Sequence, residues 1–121
     1  MGAVRILVTD VDEALPGWLA AGYAVSQRWG PPFAILTADG MPDLWVSGPG
    51  TSAAQAVEIL STYDRDCAAV HPVLETDDLH AAVGRLVDAG WDPVDVAVTG
   101  PGGSQMLLRQ GTVFLEVFTP A

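Results

Sequence analysis

The chain has 121 residues, half of them apolar, and a formal net charge of −10 from fifteen acidic residues and five arginines, with no lysine. A phosphate-binding surface needs clustered Lys and Arg, so nucleic acid is excluded as a partner and anionic membrane surfaces are disfavoured. No apolar run approaches the roughly 20 residues of a membrane-spanning helix, and no basic-then-apolar leader opens the sequence, so one cytoplasmic globular domain is expected.

The absence of lysine also removes Schiff-base chemistry. A single cysteine, Cys67, excludes an internal disulfide; with no base near it in sequence, it reads as structural.

In chain order, Ala3–Thr9 alternates as a strand, with Val4, Ile6 and Val8 on one face and Ala3, Arg5 and Leu7 on the other. Asp10 is placed as a helix N-cap, with Glu13 completing a capping box, and Gly22 stops that helix. Pro16 inside it predicts a kink or a late start. Tyr23–Trp29 reads as a strand, followed by a Gly30-Pro31-Pro32 turn. Phe33–Thr37 and Pro42–Ser47 form a hairpin around Asp39-Gly40. Residues 48–66 read as a linker, in which 52–61 can carry a short helix.

The pattern then repeats. Ala69–Glu75 is a strand, Asp78 caps a helix that Gly90 ends, and Trp91–Val98 is a strand. Gly100-Pro101-Gly102-Gly103 is a turn; with no helix or Lys after it, it is not a phosphate cradle. A last hairpin turns at Gln110-Gly111. Asp10 to Gly22 and Asp78 to Gly90 are both twelve residues, at an offset of 68, and Gly40–Pro49 matches Gly111–Pro120 at an offset of 71. The chain is therefore two strand–helix–strand–strand–strand units.

That element order, Asp10-Val11-Asp12 and Asp78-Leu79 at the strand-to-helix corners, the phrase GPGGSQMLL and the terminal FLEVFTP together resemble the vicinal-oxygen-chelate superfamily. This group holds glyoxalase I, extradiol dioxygenases, fosfomycin-resistance enzymes and bleomycin-resistance binding proteins. The resemblance implies an α+β fold in which two tandem βαβββ modules form a cup-shaped mixed sheet with helices on its outer face. Residues 1–121 make one domain: module 1 about 1–48, a linker at 49–67 and module 2 about 68–121. It also implies a homodimer in which each cup is shared between chains. The family often has Asp-Pro-x-Gly-Asn in the last hairpin; this chain has the shorter Arg109-Gln110-Gly111-Thr112.

Strand parity sorts the faces, because the continuous apolar face must lie under the helices. The cup then receives Arg5, Leu7, Trp45, Ser47, His71, Phe114, Glu116 and Phe118. Tight turns at Asp39-Gly40 and Gln110-Gly111 add Leu36 and Ala34 opposite Asp43 and Trp45, and Gln105 opposite Glu116.

By resemblance, a metal would be held from Ala3, Trp45, His71 and Glu116. Only His71 and Glu116 carry donors, an incomplete set, so no metal and no other cofactor is expected; a divalent ion is the minority reading. His71 and Glu116 are also the catalytic candidates, as an acid–base pair, against a plain polar pair that orients a ligand. Trp18 and Trp91 read as core or dimer contacts, and His80 as a surface residue.

The candidate ligand-binding set is Arg5, Leu7, Leu36, Trp45, His71, Gln105, Phe114, Glu116 and Phe118: aromatic walls with a few polar fixtures. The expected function is metal-independent sequestration of an aromatic or hydrophobic natural product or antibiotic, with drug self-resistance as its role. A glyoxalase-like lyase or isomerase, metal-dependent or using Glu116 or His71 as base, is the alternative, and the weight falls against an enzyme.

Overall fold

A computed structural model describes residues 2–121. The first half runs β1 (Ala3–Leu7), α1 (Val11–Ala20), β2 (Ala24–Trp29), β3 (Phe33–Thr37) and β4 (Asp43–Ser47). Two short helices follow, α2 (Ser52–Glu58) and α3 (Thr62–Ala68). The second half runs β5 (Val70–Glu75), α4 (Leu79–Asp88), β6 (Asp92–Pro93), β7 (Val98–Gly100), β8 (Gly103–Gln110) and β9 (Val113–Pro120).

The fold is α+β, with one mixed, unclosed sheet in the order β2-β3-β4-β1-β5-β9-β8-β6, and β7 also on β8. β1 lies parallel to β4 and β5 parallel to β9, while β1 and β5 pair antiparallel and join the halves. That seam lies within one chain, so a single chain supplies both halves of its cup. This corrects the expectation of a cup shared between two chains.

Short-range chemistry sets the two long helices. The Asp10 carboxylate accepts from the Glu13 backbone N–H at 3.2 Å, and the Asp78 carboxylate from that of Ala81 at 3.0 Å. α1 begins at Val11 and runs through Pro16, so the late start is not seen. Its apolar side covers Ile6, Ala34, Leu36, Leu44 and Val46; α4 covers Leu108 and Val117. Each such fully buried side chain stabilises the fold by about 1.5–3 kcal/mol.

The linker corrects the sequence reading. It holds two helices, with Thr51 and Ser61 as N-caps, and they pack on the inner face of the sheet. Val57, Leu60 and Ala68 bury against Leu107 and Phe114, with Leu7 beside them. The segment that joins the halves therefore fills half of the cup.

Two hairpin registers also differ from expectation. Asp39-Gly40 does form a tight turn, closed by Met41 N–H donating to the Ala38 carbonyl at 3.2 Å. Pro42 cannot donate to the ladder, and an extra residue there shifts the pairing to Ile35↔Trp45 and Leu36↔Leu44. A slip of one residue reverses a face, so Leu36 and Ala34 lie on the helix side while Phe33 and Ile35 face the cup. The last hairpin turns at Gly111-Thr112, with Leu107↔Glu116 and Gln105↔Phe118. There the pairing moves by two, so every side chain keeps its face.

The expected strand Trp91–Val98 is broken into β6 and β7. Pro93 lacks an N–H, and the Asp95 carboxylate accepts from Val96 N–H at 2.8 Å, a local bond that competes with the ladder. No helix among the described residues is long and apolar enough to cross a membrane.

Candidate functional site

The centre of the cup is built from four adjacent strands, β4, β1, β5 and β9. In register, Arg5 lies between Trp45 and His71, and Ala3 between Asp43 and Val73, with Glu116 beyond Val73. Alternation sends all of these side chains to one face.

Arg5 grips Glu116 with two hydrogen bonds: Nε donates to Oε1 at 3.0 Å and Nη2 to Oε2 at 2.7 Å. Its Nη1 donates to Ser47 Oγ at 3.0 Å. His71 Nε2 lies 3.2 Å from Glu116 Oε1, and its Nδ1 donates to the Ala68 carbonyl at the end of α3, at 2.6 Å. Arg5, Ser47, His71 and Glu116 are each at most 4% exposed. Such a bidentate, charge-assisted pair is among the stronger hydrogen-bond arrangements available to a side chain.

Burial alone pushes the Glu116 carboxyl up. Hydrogen bonds from His71 and Arg5, together with their charge, outweigh it and hold the group below its ordinary value of 4.5. The carboxylate is therefore anionic and already engaged at both oxygens. That is a poor setting for a general base, which needs a free lone pair within reach of a substrate proton.

Aromatic rings lie against the ion cluster. The Arg5 guanidinium carbon is 5.0 Å from the centroid of Trp45 and 5.9 Å from that of Phe33, within cation–π range. Trp45 meets Phe118 edge to face, with centroids 5.3 Å apart, although β1 and β5 separate their strands. The register places Ala3 and Val73 between the two rings, and those short side chains leave the room. Trp45, Phe118 and Phe33 remain half-buried, and Trp29, edge to face with Phe33 at 6.0 Å, is exposed.

The other candidates are placed as follows. Leu7 and Phe114 are packed under α2 and α3. Gln105 accepts from Ser52 Oγ of α2 at 3.1 Å, and Arg109 bonds Asp64 of α3 at 3.1 Å, so both tie the linker down. Leu36 belongs to the core beneath α1. The structure thus unites Arg5, Trp45, His71, Glu116 and Phe118, and leaves Leu36 out. Sequence reasoning missed Phe33 through the register slip. It put Ser47 on the cup face without seeing its bond to Arg5. A separate half-open groove of about 280 Å³ lies between α2 and the break at residues 94–97, lined by Ala56, Ile59, Val94, Val96 and Leu107 among others.

A divalent metal does not fit these residues. Ala3 and Trp45 offer no donor, the Glu116 oxygens are held by Arg5, and no group of three His, Cys, Asp or Glu converges among the described residues.

No protein-family model matches this sequence, and no curated protein matches it. Solved structures do. One crystal structure, that of NAD-dependent benzaldehyde dehydrogenase from Legionella pneumophila, aligns over 100% of both chains with a TM-score of 0.73 at 9% identity. A glyoxalase/bleomycin resistance protein/dioxygenase superfamily member from Vibrio splendidus aligns over 98% of this chain and 97% of that one, with a TM-score of 0.63 at 13% identity. The chain has the vicinal-oxygen-chelate fold. Methylmalonyl-CoA epimerase from Mycobacterium tuberculosis shares it, over 98% of this chain and 86% of that one, with a TM-score of 0.63 at 20% identity. Identities this low carry the fold and no activity, because one fold hosts many chemistries.

Proposed function

We propose that this vicinal-oxygen-chelate chain is a metal-independent binding protein for a flat aromatic or hydrophobic small molecule. The observation that carries the reading is the half-buried Trp45–Phe118 ring pair, directly beside a buried, fully engaged ion cluster. An aromatic guest parts the two rings, stacks against Trp45 and Phe33, and gains ring contacts worth about 0.5–1.5 kcal/mol each beyond simple burial. Arg5, His71 and Glu116 hold the floor rigid and do no chemistry on the guest.

The biological role in this reading is sequestration of a natural product or antibiotic, as drug self-resistance. Its support is the fold shared with a superfamily whose description includes bleomycin resistance proteins. A homodimer belongs to the same reading, supported by the apolar strip of Val70, Pro72 and Leu74 exposed on the outer face of β5. A cytoplasmic setting is supported by the free thiol of Cys67, which suits a reducing compartment.

The test is titration of the protein with a panel of planar aromatic antibiotics, read by tryptophan emission. A binder quenches the wild type, Trp45→Phe removes most of the response, and mass spectrometry recovers the compound unchanged. A response that survives both Trp45→Phe and Phe118→Ala, or a chemically altered compound, overturns the reading.

A further inference from the structure

We infer that the Arg5 guanidinium is the cup's resident cation, and that it masks a metal-binding site made of Glu116, His71 and Ser47. The argument starts from what surrounds the guanidinium. Glu116 Oε1 and Oε2 and Ser47 Oγ approach its nitrogens at 3.0, 2.7 and 3.0 Å, and His71 Nε2 stands 3.2 Å from Oε1. These are three donor-bearing residues on three different strands, at 1%, 0% and 3% exposure for Glu116, Ser47 and His71. A buried carboxylate beside a buried imidazole is the donor pairing that binds zinc or cobalt.

The second shell is present as well. His71 Nδ1 donates to the Ala68 carbonyl, which leaves Nε2 as the nitrogen that faces the centre. A ligating imidazole needs that same support to fix its tautomer and ring angle. The centre lacks only space and charge, and Arg5 supplies both: it fills the volume and neutralises Glu116. A buried carboxylate left without its cation is strongly penalised, so truncating Arg5 creates a demand for a positive ion at the place the guanidinium leaves.

Trp45 sharpens the point. Its ring centroid is 5.0 Å from the guanidinium carbon, so a carboxylate built on the Trp45 backbone reaches toward the same volume. Arg5 and Trp45 together therefore account for the metal independence of this cup. The inference deepens the metal-independent reading above and rests on it only for the wild-type protein.

The experiment is Co(II) and Zn(II) titration of the full chain, read by the Co(II) visible spectrum, by metal content after desalting and by thermal melting. Wild type is expected to keep no metal and show no melting shift. Arg5→Ala is expected to take up one Co(II) per chain, and Arg5→Ala/Trp45→Glu to bind it at least tenfold tighter. Adding Glu116→Gln or His71→Ala abolishes uptake in both. Where a variant does not fold alone, circular dichroism with and without Co(II) reads the same question; metal-dependent refolding supports the inference. A folded Arg5→Ala/Trp45→Glu protein that takes no metal, or one that fails to fold at any Co(II) concentration, overturns it and leaves the binding function standing. Wild-type uptake lost on Glu116→Gln overturns both. Failure of the tryptophan titration alone overturns only the binding function.

Discussion

Arg5 on β1 reaches across β5 to hold both carboxylate oxygens of Glu116 on β9, at 3.0 and 2.7 Å. The pair staples the two halves of the chain through their side chains, as β1 and β5 do through their backbones. Removing one partner leaves a buried charge unpaired, which costs about 3–5 kcal/mol; replacing both with apolar residues of similar volume costs far less. Urea denaturation is therefore expected to show a large loss for Arg5→Met and for Glu116→Leu, and a double variant well above the sum of the two. Strict additivity would show that the pair is not coupled.

The same carboxylate sets an acid limb on stability. Its folded-state value lies below the ordinary 4.5, so its contribution is fully present above the unfolded value and is lost as pH falls through the folded one. Urea midpoints of wild type and Glu116→Gln should differ by a constant amount at neutral pH and converge as pH drops below about 4.5. A gap that widens on acidification would contradict the downward direction.

The register slip at Pro42 separates two neighbours by role. Leu36, fully buried beneath α1, is expected to cost about 2–5 kcal/mol as Leu36→Ala while leaving the aromatic-ligand response unchanged. Phe33→Ala is expected to weaken that response several-fold at a smaller stability cost. The comparison needs only a melt and a titration, and a reversed pattern would place Leu36 in the cup after all.

At the start of β8, Gly103 has φ +146° and packs against the Thr119 carbonyl, with no room for a Cβ. Gly103→Ala must move backbone, and overpacking of this kind costs about 1–3 kcal/mol or more. Differential scanning calorimetry should show a lower Tm than for Gly102→Ala, whose Cβ meets open space.

Much of this arrangement was legible in the residues. The caps at Asp10 and Asp78, the repeat and the alternation of β1, β5 and β9 placed Arg5, His71 and Glu116 on one face. These signals are local, or depend on parity alone, which survives a two-residue shift in the last hairpin. The misses have a common cause. A proline in a strand alters the ladder in ways that no periodicity records, and Pro42 and Pro93 each did so. The inward fold of α2 and α3 is a tertiary choice. Ser61 and Asp64 carried the cap of α3 in plain view, but nothing in 52–68 says which side of a sheet will receive it. The Arg5–Glu116 pair was equally hidden: parity gives a shared face and not a shared bond.

The seam between β1 and β5 has one further consequence. Its hydrogen bonds are the same whether the two strands come from one molecule or from two, so strand pairing has no preference between a self-contained cup and an exchanged one. The preference rests with the connecting segment. To trade halves with a neighbour, a chain must straighten 51–68 and draw Val57 and Leu60 out of contact with Leu107 and Phe114. The stretch that reads as a spacer is thus the latch that keeps each molecule's halves at home.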